Sequence, residues 1–162
     1  MLRRWLARRQ RSAAQVHAAD VQAWLDCVER LTTACTESLQ PLQIPPDIGV
    51  VLDRVDRELM RFRNEYDRTR GPLRRHAPSL VDRVSRATEH VYRLRNDACS
   101  YLLRVQDVRL AEQAGAWPQS AEQERDRARG RALQTARELA AELDTLLPEL
   151  RILIARWSAP AD

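Results

Sequence analysis

The sequence predicts an all-α protein, an elongated antiparallel up-down-up-down four-helix bundle in which residues 1–162 form one domain. Composition is the first reason. Glycine is rare, with 4 residues, and Ala, Leu, Arg and Glu dominate, a mixture that favours long helices over strands. Aromatic residues make up only 5%, so aliphatic side chains fill the core. The second reason is periodicity, since apolar residues recur at alternating spacings of three and four along most of the chain. The third is brevity of the connections, which makes consecutive long helices antiparallel neighbours. A chain of 162 residues is long enough to bury a real core.

Helix one is legible through Val21, Trp24, Val28, Leu31 and Cys35 and ends before Pro41. Its basic opening, residues 1–12, is expected to fray. Helix two starts after Pro45-Pro46-Asp47 and presents Ile48, Val51, Val55, Leu59, Phe62 and Tyr66 to the core. On its outer face Asp53/Arg57, Arg54/Glu58 and Arg61/Glu65 stand four residues apart, a spacing worth about 0.2–0.5 kcal/mol per pair. Residues 68–76 read as the loop of the second connection.

Helix three carries Leu80, Val84, Ala87, Val91, Leu94, Ala98, Tyr101, Val105 and Val108, with Ser79 as its N-cap. Helix four starts near Ser120, where S-A-E-Q resembles a capping box. Its stripe runs Ala132, Ala136, Leu139, Leu143, Leu146, Leu150, Leu153, Trp157, flanked by Leu133, Ala140, Leu147 and Ile154. The phase continues through Pro148, which predicts a kink and no termination. At about 1.5 Å per residue, helices one, three and four each span on the order of 50–60 Å, and helix two is shorter.

All 27 basic residues are arginine, a usage that a GC-rich bacterial genome produces through its codons. Placement carries more than number. In the predicted topology the chain start, the second connection and the chain end share one pole. Residues 1–15, 66–82 and 150–162 carry net charges of +5, +2 and +1 in a chain whose total is +4, so the rest is acidic. The pole gathers Arg3, Arg4, Arg8, Arg9, Arg11, Arg70, Arg74 and Arg75 with Trp5 and Trp157, a set suited to an anionic partner. Nucleic acid, held through phosphates and stacking, is one such partner. An anionic membrane is disfavoured, because Arg9 falls on the face of Leu2, Trp5 and Leu6. No apolar run reaches the length of a membrane span. The basic start lacks the hydrophobic stretch of a secretory signal, which leaves the cytoplasm as the expected compartment.

Chemistry-bearing motifs are sparse. Cys27, Cys35 and Cys99 form no paired spacing and read as small core residues in a reducing compartment. His17, His76 and His90 form no H-x-x-x-H and no Glu-x-x-His, the pattern of di-iron bundles, so no metal or other cofactor is expected. Glycine-rich phosphate loops and G-x-S-x-G elbows are missing. One stretch, RVSRATEH at 83–90, resembles the signature of HEPN-type ribonucleases, an arginine followed after four to six residues by a histidine. The resemblance implies that Arg83 would hold a phosphate and His90 would move a proton, with Asp97 continuing the column. Arginine is one residue in six, however, and Arg11/His17 and Arg70/His76 meet the same spacing. Val84 also stands on the apolar stripe where the family tends to place a polar residue. We therefore read Arg83 as the partner of a nearby acid and His90 as a core-flanking hydrogen-bonder. The expectation is a non-enzymatic bundle that works by binding, through self-association or a protein partner.

Overall fold

The computed structural model describes residues 2–41, 44, 45 and 47–159, the first eleven of these by backbone alone. Four helices make up the fold: α1 (Leu2–Ser38), α2 (Ile48–His76), α3 (Pro78–Gln113) and α4 (Gln119–Ser158). Their 37, 29, 36 and 40 residues correspond to roughly 55, 44, 54 and 60 Å, which matches the expected lengths. No strand occurs among the described residues, and no helix is long and apolar enough to cross a membrane.

Polar contacts between helices give their directions. Along α3 and α4, Arg83 meets Glu149, Arg86 meets Glu142 and Asp97 meets Thr135. Arg104 meets Glu124 at the far end of the same seam. As one number rises the other falls, so the pair is antiparallel. The same order holds for α1 and α2, where Thr69 bonds the Asp20 carbonyl and Arg54 pairs with Glu37. It holds again for α2 and α3 through Tyr66–Ser85 and Arg95–Asp56. Finally, His17 packs on Trp157 while Arg129 reaches the Leu39 carbonyl, so α1 and α4 are antiparallel too. The bundle is up-down-up-down.

Its cross-section is a skewed square. Helix α1 packs along α2, α3 and α4, whereas among the described residues α2 and α4 meet only where the His76 and Trp157 rings touch. The short diagonal therefore runs between α1 and α3, and the core lies along it. Every residue of the stripes predicted for helices one and three is buried. On α2, burial repeats every seventh residue at Ile48, Val55, Phe62 and Thr69, with Val51, Leu59 and Tyr66 half-buried between them. On α4, Ala132, Leu139, Leu146, Leu150 and Leu153 are buried, and Ala136, Leu143 and Trp157 pack half-exposed against them. Trp24, Phe62 and Tyr92 form an aromatic chain through the middle, with ring centroids 6.4 and 5.6 Å apart.

The helix ends depart from expectation in three places. The expected loop at 68–76 is absent: α2 continues to His76, and a single residue, Ala77, separates it from α3. Pro72 lies inside α2 and leaves the Arg68 carbonyl without its helical partner. Burial of Pro72 and of Leu73, which is fully enclosed, offsets that loss; a side chain such as Leu73 contributes about 1.5–3 kcal/mol. Pro78 then forces the break, because a residue preceding proline is driven out of the helical region. Ala77 accordingly adopts φ −148° and ψ 59°. Pro78 itself is the first helical residue of α3, so Ser79 lies inside the helix and makes no cap bond. Likewise α4 starts at Gln119 after Pro118, which puts Ser120 two positions too far in for the capping box.

Asp47 does cap α2, accepting from the Gly49 N–H at 2.9 Å. Helix α3 ends in a paired reversal, with Ala116 N–H bonded to the Ala111 carbonyl and Gly115 N–H to that of Glu112. Gly115 sits at φ +66°, a conformation that favours glycine. Helix α4 runs through Pro148 without ending.

Candidate anion-binding pole and the Arg83–His90 seam

The end of α2 and the end of α4 meet α1 at His17, fifteen residues after its start, and this defines one pole. The contact is a cluster of three rings. His17 and His76 lie 5.6 Å apart between centroids, and Trp157 stands 6.0 Å from each, edge-on to both. These residues are distant in sequence and come together only because the bundle is antiparallel. The His17 imidazole is half-buried, and its Nδ1 is enclosed without a hydrogen-bond partner. Burial lowers its pKa, and the neighbouring His76 and Arg75 lower it further, against a smaller raising effect of Asp20. The neutral ring is therefore the favoured form near neutral pH.

Around this cluster Arg70, Arg74 and Arg75 are exposed on the last two turns of α2, with no acidic partner among the described residues. They belong to a helix and not to a loop, so their spacing is fixed by the backbone. Cations at a helix C-terminus also complement its dipole. Trp157, expected as a free stacking surface, is half-buried against the two imidazoles. The backbone of α1 is helical from Leu2. The side chains of Arg3, Arg4, Trp5, Arg8, Arg9 and Arg11 lie outside the described residues.

Arg83 and His90 lie on the α3–α4 seam, Arg83 in the second turn of α3 and His90 two turns further along. The Arg83 guanidinium donates to Glu149 and, at 3.0 Å, to the Thr145 hydroxyl. His90 Nδ1 is enclosed and 3.9 Å from a Glu138 oxygen, beyond hydrogen-bond range. Arg93 shares that carboxylate at 3.6 Å. Asp97 accepts from the Thr135 hydroxyl at 2.8 Å. The column Arg83, His90, Asp97 thus faces α4 rung by rung, each member opposite a polar residue of that helix. The outer-face pairs on α2 also differ from expectation. Arg54 reaches across to Glu37, Arg61 pairs with Glu58, and Arg57 bonds the Asp53 carbonyl.

Sequence reasoning missed the His17–His76 pair because it ended helix two at Tyr66. Continuing the seven-residue step from Phe62 to Thr69 and Leu73 would have carried the helix to His76 at the pole. The three cysteines are buried and unpaired. Burial pushes the Cys35 thiol up to about 12, helped by Cys99 beside it. Among the described residues no three His, Cys, Asp or Glu side chains gather at one point. No family model, curated protein or solved structure matches the chain.

Proposed function

We propose that this protein is a non-enzymatic interaction module that docks an acidic protein partner on its basic pole. The observation that carries the reading is the ring cluster His17–His76–Trp157, which packs the ends of α2 and α4 against α1 beside the arginines of α2. Arg70, Arg74 and Arg75 stand on that surface without acids to neutralise them. Long-range attraction between such a patch and an acidic surface speeds encounter and screens with salt. Packing of Trp157 against the imidazoles favours an acidic protein over single-stranded nucleic acid, which needs free aromatic faces. Arg83 is engaged by Glu149 and Thr145, which favours a structural role for the seam over cleavage of RNA. Three unpaired thiols fit a reducing compartment, the cytoplasm.

The test is fluorescence anisotropy with a labelled oligoglutamate peptide and a labelled single-stranded RNA, at low and high salt, for the wild type and Arg70→Gln/Arg74→Gln/Arg75→Gln. Peptide binding should weaken with salt and fall about tenfold in the triple variant, as losing three screened contacts of roughly 0.5 kcal/mol each requires. Binding of RNA alone would transfer the pole to nucleic acid, and RNA cleavage would reinstate the ribonuclease. No binding of either probe would remove the pole from consideration.

Self-association is the second reading. It is favoured by an open groove of about 390 Å³ between α1 and α4, where Leu25, Leu143 and Leu147 lie between Asp26, Glu29 and Arg151. Light scattering should then give a dimer mass that Leu147→Glu reduces to a monomer; a strictly monomeric wild type excludes it.

A further inference from the structure

At the pole opposite the ring cluster, the α1–α2 linker closes over α3 and the first turns of α4. A cleft of about 280 Å³ opens there, lined by Ile44, Tyr101, Val108, Arg109, Arg125 and Arg129 among others. Arg109 and Arg129 anchor the linker: Arg109 donates to the carbonyls of Ile44 and Pro45, and Arg129 Nε to that of Leu39.

Its floor is unusual. Tyr101 is 1% exposed, yet its hydroxyl makes no hydrogen bond among the described residues. Buried tyrosine hydroxyls nearly always find a partner, because an unmet polar group costs about 1–3 kcal/mol. The hydroxyl is not among the fully enclosed orphan atoms, so it reaches the cleft. Three arginines, Arg109, Arg125 and Arg129, and two carboxylates, Glu112 and Asp126, line the same cleft. Arg129 spends only Nε on the protein, which leaves its two terminal NH₂ groups for another acceptor. Arg125 pairs sideways with its neighbour Asp126, a carboxylate that is itself 67% exposed. Beside these donors Ile44, Val105 and Val108 supply an apolar wall.

We propose that this cleft binds a small organic monocarboxylate. Its oxygens would accept from the Tyr101 hydroxyl and the Arg129 and Arg125 guanidiniums, and its short apolar tail would lie against Val105 and Val108. The forked guanidinium matches a carboxylate in two bonds, and a neutral tyrosine donates a third. Volume sets the size, since the cleft falls just below the range of about 300–1,000 Å³ that holds drug-sized ligands. The same donors would accept phosphate, but the apolar wall would then be left unused.

The experiment is an NMR titration of the ¹⁵N-labelled full chain with isobutyrate, with inorganic phosphate, and with chloride as the ionic-strength control. Saturable shifts of the Arg125 and Arg129 Nε–H signals are expected with isobutyrate, with phosphate weaker and chloride without saturation. Tyr101→Phe, which deletes one oxygen and keeps the packing, should weaken isobutyrate binding roughly five- to tenfold, the value of one hydrogen bond. Arg125→Gln, whose native partner is only the adjacent Asp126, should weaken it by a similar factor and keeps the test open if the tyrosine variant folds poorly. Phosphate binding as tightly as isobutyrate overturns the carboxylate assignment. Shifts matched by chloride, or binding unchanged in both variants, overturn the site.

Discussion

Arg83→Met separates a structural seam from a catalytic one. In the structure the Arg83 side chain is 21% exposed and its partner Glu149 is 52% exposed, so solvent screens the ion pair. A pair of that kind contributes about 0.5–1 kcal/mol. The bond to the Thr145 hydroxyl adds roughly 1 kcal/mol. Methionine keeps the aliphatic stem against α4, so little packing is lost. The expected destabilisation is about 1–2 kcal/mol, or roughly 3–6 °C in Tm for a chain of this length. Circular-dichroism melts of Arg83→Met, Glu149→Gln and the double variant measure it, and the cycle should return a coupling of about 0.5–1 kcal/mol. A coupling of zero would refute the reasoning, because the contact would then contribute nothing to the fold. Loss of an RNA-cleaving activity in Arg83→Met with Tm unchanged would refute it from the other side.

Two further outcomes follow from titration. The folded-state pKa of His17 lies below 6.5, so the unfolded chain takes up the proton first; stability is full above pH 6.5 and declines as pH falls from there toward the folded value. Urea midpoints at pH 7.5 and 5.5 should therefore differ more for the wild type than for His17→Gln, and equal differences would contradict the assignment. The Cys35 thiol, buried and pushed up to about 12, should resist a disulfide reagent at pH 8 in the native protein and react promptly in urea. Rapid labelling of Cys35 in native buffer would contradict its burial.

How much of this was legible in the sequence depended on where each helix sits in the square. Helices α1 and α3 lie on the short diagonal and touch three neighbours each, so a simple three-four stripe found their cores without error. Helices α2 and α4 sit at the outer corners. There the same rule overestimated burial at Val51, Leu59, Leu143 and Trp157, which are half-exposed. The end of α2 was lost because the apolar pattern of that helix was followed only as far as Tyr66. Tertiary burial of Pro72 and Leu73 carries the helix further, and the true break falls at Pro78. The caps assigned to Ser79 and Ser120 failed for a related reason. Pro78 is the first helical residue of α3 and Pro118 the N-cap of α4, so each serine falls at the second helical position, past the cap.

The pole was anticipated from topology, and its ring cluster was not; both bear on whether arginine abundance carries meaning. Codon usage of the kind expected above would place arginines without regard to function. Lack of an acidic partner singles out nothing by itself, since Arg127, Arg131 and Arg137 on α4 also lack one among the described residues. What codon bias does not produce is convergence. His17, His76 and Trp157 come from three helices, and the favoured neutral state of His17 beside Arg75 keeps one more positive charge out of an already basic surface. Protonation would crowd that surface further, so the cluster holds the pole together best at the pH where an acidic partner is also fully ionised. The arginines and the packing therefore favour the same conditions, which is the coincidence a docking surface requires.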